Sequence, residues 1–333
     1  MKKIDFLAIG DVVVDAFIQL KDAHVHCKID TDACELCLRF GDKVPYESVK
    51  VIPAVGNSAN AAVAASRLGL NSALITNIGN DKDGEECVQS LKKDKVLTKF
   101  VSKEVGKKTN YHYVLSYDVD RTILIKHEKF SYKFPKPFLG MPKVAWVYLS
   151  SLGENSLEYH KEIAKYLADN PDVRLAFQPG TFQMKFGTSA LKEIYQRTEI
   201  FFCNLEEAQR ILSTETKDVH TLSEGIRNLG PKIVAISDGP NGAYLYIDNK
   251  LWHIPIYPDI KPPVERTGAG DAFSSTLTAA IALGKSPLEA LKWGPINSMS
   301  VVQKVGAQEG LLTKQALENY LSSAPSSYSA SKI

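Results

Sequence analysis

The chain predicts an α/β protein whose mostly parallel sheet is covered by helices on both faces. Three observations predict it. Strand-like runs alternate with helix-like segments, the pattern of parallel crossover units. The 333 residues, 44% apolar and 23% charged, suffice for one large α/β domain with an elaboration, or for two domains, with a large core that needs no disulfides. Late in the chain, Gly268-Ala269-Gly270-Asp271 opens an apolar helical run through Leu277, Ala280, Ile281 and Leu283. A ligand of such a sheet binds at the carboxyl ends of the strands.

The elements follow in order. Strand Phe6–Ile9 ends at Gly10-Asp11, and an alanine-rich helix runs from Ser58 to Leu68, stopped by Gly69. Next come strand Ala73–Ile78, strand Val144–Leu149, helix Leu157–Leu167, strand Val173–Phe177, strand Ile200–Cys203, helix Leu205–Leu212 and strand Lys232–Ser237. Two stretches break the alternation. Residues 17–51 lack helical periodicity. Residues 108–132 read as a hairpin, with strands over Asn110–Leu115 and Arg121–Ile125 and a turn at Tyr117-Asp118-Val119-Asp120. Together they predict a small second sheet, which on its own cannot bury much and so must cover a cleft or pair with another copy. The Ser- and Ala-rich tail, 322–333, reads as mobile.

Composition excludes several classes. Forty Lys and Arg against 38 Asp and Glu leave a formal charge of +2, which favours neither nucleic acid nor a membrane surface as partner. Asp5, Asp11 and Asp15 interrupt the first apolar run, so it is no signal peptide, and no run of 18 apolar residues offers a membrane span. Five cysteines predict reduced thiols and a cytoplasmic location. Cys34-x-x-Cys37, near His24, His26 and Cys27, has zinc-like spacing, but no second such pair supports it, and buried cysteines of the small sheet are the expectation.

The chemistry concentrates at 266–273. Gly268 and Gly270 allow a tight turn that points several N–H groups one way at a helix start, where about half an elementary positive charge gathers anions. Asp271 puts a carboxylate beside that anion site, which suits phosphoryl transfer to a hydroxyl. No G-x-x-x-x-G-K-[ST] occurs, and Phe273 stands where a dinucleotide fingerprint needs its third glycine, so a P-loop enzyme and a Rossmann dehydrogenase are both disfavoured. Three further clusters admit either a structural or a binding role. Asn57 and Asn60 share one side of a helix start, where they hold hydroxyl groups or where Asn57 or Ser58 caps the helix. Asn204 and Glu207 form a capping box or approach a hydrated Mg²⁺. Ser237–Gly242 is a turn into a hairpin or a nucleotide loop.

The order of these motifs resembles the ribokinase, or PfkB, carbohydrate-kinase family, from about Asp5 to Leu312. Gly56–Gly69 is similar to the family's first signature, and Thr267–Phe273 to its second and more specific one. The resemblance implies a three-layer α/β/α domain with a mostly parallel central sheet and a small β-sheet lid. It implies a main domain over 1–16, 52–107 and 133–321 and a lid over 17–51 and 108–132. It also implies ATP-dependent transfer of the γ-phosphate, with Mg²⁺, to a hydroxymethyl group of a small sugar. Asp271 corresponds to the general base, and the N–H groups of Gly268, Ala269 and Gly270 to the anion hole. Asp15, Gly56, Asn57 and Asn60 correspond to substrate-binding positions. Asn204, Ser237, Gly239, Gly242, Gly306 and Ala307 correspond to the nucleotide side, with Glu207 near the metal through water.

Where the family often carries Asp-Thr-Thr, this chain has Glu265-Arg266-Thr267, which leaves dependence on a monovalent cation open. A second phosphate on the acceptor would call on Arg121 or Lys126, so an unphosphorylated acceptor is expected. Tyr111, Tyr113 and Ile123 are expected to close over the ligand, which keeps an adenosine-like nucleoside as the alternative acceptor. A non-catalytic sugar or nucleotide sensor is the rival from another class. Apolar residues of an open lid imply a homodimer through the lid.

Overall fold

A computed structural model describes residues 3–27, 34–117, 120–135 and 143–333. After β1 (Ile4–Ile9) the chain enters a small sheet through β2 (Val13–Leu20), β3 (His24–Cys27), β4 (Cys34–Cys37) and β5 (Tyr46–Val55). It returns to the main body as α1 (Asn57–Arg67), β6 (Ser72–Gly79), α2 (Lys82–Lys93) and β7 (Val101–Glu104). It then re-enters the small sheet as β8 (Asn110–Tyr117) and β9 (Asp120–Leu124). The centre of the large sheet follows as β10 (Val144–Leu149), α3 (Leu157–Asp169), β11 (Arg174–Phe177), α4 (Thr181–Ala190), α5 (Lys192–Arg197), β12 (Thr198–Asn204), α6 (Leu205–Leu212), α7 (Val219–Asn228) and β13 (Ile233–Ser237). The last part comprises β14 (Ala243–Ile247), β15 (Lys250–Ile254), α8 (Ala269–Ala282), α9 (Pro287–Leu291), α10 (Gly294–Val301), α11 (Lys314–Ser322) and β16 (Ser331–Lys332).

The large sheet has ten strands in the order β16-β15-β14-β13-β12-β11-β10-β1-β6-β7, parallel from β7 to β13 and antiparallel beyond. Its central strands are apolar on both sides. Phe6, Ala8, Trp146, Tyr148 and Phe202 pack on the α1 and α8 face, while Leu7, Ile9, Val147, Leu149 and Phe201 pack with Ile163, Leu167 and Ile226 on the other. Strands buried on both faces read as continuous apolar runs, which is why β10 was legible in the sequence to its last residue.

The small sheet runs β5-β2-β8-β9, with β3 and β4 forming a separate two-stranded ribbon. Its inner edge reaches further than the sequence implied: Val13–Asp15 of β2 and Ile52–Val55 of β5 pair with each other within it. The described part of residues 17–51 lacks helical periodicity because it is mostly strand. Of the hairpin turn, Asp118 and Val119 lie outside the described residues.

Two expectations fail here. The tail is docked: Tyr328 is buried and donates to the carbonyl of Lys292, and β16 pairs with β15, so an aromatic anchor and a free sheet edge outweigh the small polar residues around them. The cysteines of the lid ribbon are neither buried nor all reduced. Cys27 and Cys34 face each other across β3 and β4 and form a disulfide, and Cys37 is exposed. Spacing in the sequence could not show that the ribbon register places Cys27 opposite Cys34. Among the described residues no group of three or more His, Cys, Asp or Glu is placed to hold a metal, and no helix is long and apolar enough to cross a membrane.

Candidate active site

The carboxyl ends of the parallel strands lie along one rim and carry Gly10-Asp11, Ser150 and Gln178 just after β1, β10 and β11, and Asn204 and Ser237 as the last residues of β12 and β13. Helix α8 begins above this rim. Its N-cap is Gly268 with φ 83°, and a Cβ there would lie 2.6 Å from the Ala307 Cα, so the position demands glycine twice over. The first N–H groups of any helix have no partner within it, and here the turn at Gly268 gathers them beside the Asp271 carboxylate.

Asp271 is held by three amides. Asn57 Nδ2 donates to Oδ1 at 2.7 Å, Asn60 Nδ2 to Oδ2 at 2.8 Å and Gln178 Nε2 to Oδ1 at 3.1 Å. Asn57 is therefore no cap: the N-cap of α1 is Gly56, whose φ of 103° is glycine's, and no side chain caps the helix. Gly56 also lets the turn approach closely, since a Cβ would meet the Asp11 carbonyl at 2.9 Å. Buried Tyr148 donates to Gln178 Oε1, which turns the other end of that amide toward Asp271. Asn60 is fixed in the same way by Gln308 Nε2, which donates to its Oδ1. Burial pushes the Asp271 carboxyl up, and the three amide donors pull it back. A carboxylate can accept about four hydrogen bonds, so three amides leave room for one hydroxyl donor.

On one side of α8 lies a cavity of 390 Å³, lined by Ser237, Gly239, Gly242, Ala269 and Gly270 and walled by Tyr257, Phe273 and Met299. Thus the structure joins the 237–242 loop to the helix start. Arg266 borders the same cavity. Gly306 and Ala307 are not part of it. Ala307 packs on Gly268, and Gly306 donates its N–H to Glu265 and lies beneath Ile52 and Phe17 of the lid. Asn204 and Glu207 form a reciprocal capping box at the start of α6: Asn204 Oδ1 accepts from Glu207 N–H, and Glu207 Oε2 accepts from Asn204 N–H. Burial pushes the Glu207 carboxyl up.

On the other side of α8 the lid sheet presents one face. Asp15 pairs in register with His112 and Ile52, so these three point the same way, as do Phe17, Val114 and Lys50. This face looks into the cleft, because Ile52 and Phe17 meet Gly306 and Lys50 reaches Glu309 at 2.6 Å. Tyr111 and Tyr113 alternate to the opposite face, where Tyr111 feels Asp83 and Glu86 of α2. They lie on the face away from Asp15 and His112, since strand period 2 turns the neighbours of His112 outward. Of the two cations considered for a second phosphate, Arg121 faces Glu265 at 4.0 Å and Lys126 is exposed.

Gln178, Tyr148, Asp11, Tyr132, His112 and His127 had no role in the sequence reading. Asp11 is buried and accepts from the Tyr132 hydroxyl at 2.9 and 2.8 Å, and burial pushes its carboxyl up to about 7. A buried charge next to a strand end after Gly10 was the one signal available for it.

A helix start whose N–H groups have no partner within the helix, a carboxylate held by three amides beside it and an adjoining 390 Å³ cavity are the arrangement of a phosphotransferase acting on an alcohol group. The family profile of the pfkB family carbohydrate kinases matches residues 25–314, and the chain belongs to that family. The chain is 27% identical over 288 residues to a ribokinase of Bacillus subtilis, covering 85% of this chain and 92% of that one. It is 24% identical over 273 residues to a nucleoside kinase of Methanothermobacter thermautotrophicus, covering 77% and 80%. Its fold matches the Arabidopsis thaliana ribokinase complexed with ribose and ATP at a TM-score of 0.77, with 19% identity, over 96% of this chain and 99% of that one.

Proposed function

We propose that this protein transfers the γ-phosphate of ATP to a hydroxymethyl group of a small sugar, with Asp271 as general base and the N–H groups of Gly268, Ala269 and Gly270 as the anion hole. One observation carries the reading: the Asp271 carboxylate lies in the first turn of α8 with Asn57, Asn60 and Gln178 on it, between a nucleotide-sized cavity and the inner face of the lid. A carboxylate lifted toward neutrality by burial is suited to take a hydroxyl proton at physiological pH. As the proton passes to Asp271, the acceptor oxygen bonds to the γ-phosphorus and the bond to the bridging oxygen breaks, leaving ADP. The amides at 268–270 hold the charge that spreads over the transferring oxygens. Arg266, at the cavity edge, supplies a fixed positive charge to the phosphates.

Ser237, Gly239 and Gly242 cradle the nucleotide, while Ala307, next to Gly306, supports the anion hole from behind through Gly268. Asp15, with Gly56, Asn57 and Asn60, holds the acceptor. Glu207, whose other neighbours leave it at the strand-end rim beside Asn204, would hold water of a hydrated Mg²⁺. When bound, Mg²⁺ neutralises the phosphate charge. Residues 17–51 and 108–132 act as a lid that excludes water on closure. Its exposed outer residues Val49, Val51, Tyr113 and Leu124 give a second copy an apolar face to pair with. Dependence on cellular ATP places the reaction in the cytoplasm, although an exposed Cys27–Cys34 disulfide is unusual there.

Likeness to a nucleoside kinase keeps an adenosine-like acceptor as the second reading. An ADP-coupled assay with ribose, fructose, 2-keto-3-deoxygluconate, adenosine and inosine separates the two. Turnover with a sugar and not with the nucleosides is the expected result. ATP hydrolysis at one unchanging rate, whatever acceptor is added, would leave only a sensor.

A further inference from the structure

Around Asp15, the acceptor side of the cleft holds two histidines that the reaction scheme does not use. His112 Nδ1 lies 3.4 Å from Asp15 Oδ1, and His127 Nδ1 lies 3.9 Å from Asp11 Oδ2. The two imidazoles meet edge to face at 5.3 Å, and His127 in turn meets the ring of Phe182 at 5.7 Å. Phe182 lies in the first turn of α4, shortly after β11, which Gln178 follows. The imidazoles therefore run from the lid to the strand-end rim near Asp271. Three atoms of the cluster are buried without a hydrogen-bond partner: Asp15 Oδ1, His112 Nε2 and His127 Nδ1. Asp15 as a whole is 9% exposed. A buried polar atom left unpaired is costly, so three in one cluster point to a ligand that pairs with them.

The charges nearby restrict that ligand. Two carboxylates, Asp11 and Asp15, lie against the imidazoles. Of the cations nearby, Lys129 pairs with Glu154 at 2.7 Å, Lys185 sits over the Phe182 ring at 5.5 Å, Arg121 faces Glu265 at 4.0 Å and Lys126 is exposed. Burial and the neighbouring His112 hold His127 below the usual imidazole range, so it offers one donor and one acceptor rather than a charge. A neutral imidazole beside carboxylates suits hydroxyl groups, each of which gives one hydrogen bond and takes another.

We infer that His112 and His127 are specificity-determining residues that read hydroxyl groups of the acceptor other than the one phosphorylated, so that the acceptor is an uncharged polyhydroxy compound. This rests on the proposed kinase reading and sharpens it.

Calorimetry tests the inference without turnover. The whole protein is saturated with a non-hydrolysable ATP analogue and titrated with ribose, fructose and adenosine, with single-deoxy forms of each, and with the anions fructose 6-phosphate and 2-keto-3-deoxygluconate. At least one uncharged compound should bind, with both anions at least 10-fold weaker. His112→Phe and His127→Phe, which keep the ring packing, should each weaken the fully hydroxylated ligand by about 10- to 100-fold. They should weaken the matching deoxy form by less than about 3-fold, because the hydroxyl that was read is already missing. A merely structural role would weaken both forms alike. Three results overturn the inference: an anion that binds as well as its neutral counterpart, equal losses for hydroxylated and deoxy ligands in both variants, or no uncharged compound that binds. Tight, histidine-dependent binding with no turnover in the ADP assay would instead sink the kinase reading and leave this one standing.

Discussion

Asn57 Nδ2 donates to Asp271 Oδ1 at 2.7 Å, tying the first turn of α1 to the first turn of α8 across 214 residues of sequence. The bond sets the direction in which the carboxylate faces. Asn60 and Gln178 repeat the constraint from α1 and from the end of β11, so the carboxylate is aimed before any ligand enters.

Replacing the base tests that arrangement directly. Asp271→Asn should lower kcat by about 10²- to 10⁴-fold while the affinity for ATP stays within about 2-fold, as read by steady-state kinetics and nucleotide titration. Gln178→Ala should cost less, about 10-fold in kcat, because two amides still orient the carboxylate. Unaltered kcat in Asp271→Asn would remove the base from the mechanism.

The anion hole depends on one glycine. Gly268→Ala meets both a left-handed φ of 83° and the Ala307 backbone at 2.6 Å. It should cost about 1–3 kcal/mol of stability and most of the activity. Gly270→Ala, with nothing within 4 Å of its Cβ, should fold like the wild type. Urea unfolding curves of the two variants make the comparison.

The buried Asp11 makes stability depend on pH. Its carboxyl titrates near 7 when folded and near its ordinary 3.8 when unfolded. Between those values the folded state holds the extra proton, so stability falls as pH rises from about 4 to 7, and levels off above. Asp11→Asn, whose side-chain oxygen still accepts from Tyr132, should flatten that dependence and gain on the wild type as pH rises. Urea midpoints at pH 5 and pH 8 give the answer, and identical slopes for both proteins would refute it.

Thiol chemistry should distinguish the five cysteines. Of the free ones, Cys37 is exposed and Cys87 and Cys203 are buried, with burial pushing the Cys87 thiol up to about 12. An aromatic disulfide reagent should titrate one thiol per native chain quickly, and three after mild reduction opens Cys27–Cys34. Three fast thiols before reduction would show the pair to be open.

Glu265 faces the Arg121 guanidinium at 4.0 Å, so that carboxylate already has a cation. Rates in potassium and sodium chloride at equal ionic strength should agree within about 2-fold. A potassium-specific increase of 10-fold or more would mean that Arg121 leaves Glu265 on closure.

Much of the fold was legible in the chain. Strand Val144–Leu149 and helix Leu205–Leu212 have the bounds read from periodicity alone, since double-sided burial and a capping box leave local marks. Helices α2, α7 and α10 escaped. In α2 only Gly84, Cys87 and Leu91 are buried, too few to make a strong stripe, and α10 carries Gly and Pro at its start. Docking of the tail also escaped, because it depends on the exposed edge of β15.

By itself, the sequence determined the alternation of strands and helices, the glycine turn at 268–270 and the carboxylate after it, because these arise from local backbone freedom and side-chain period. Only the tertiary structure decided that Asn57 and Gln178 hold Asp271 rather than cap a helix or face solvent. It alone turned His112 toward the cleft and its tyrosine neighbours away. Those outcomes depend on which strands pair and in what register, and that is set by packing between segments a hundred or more residues apart.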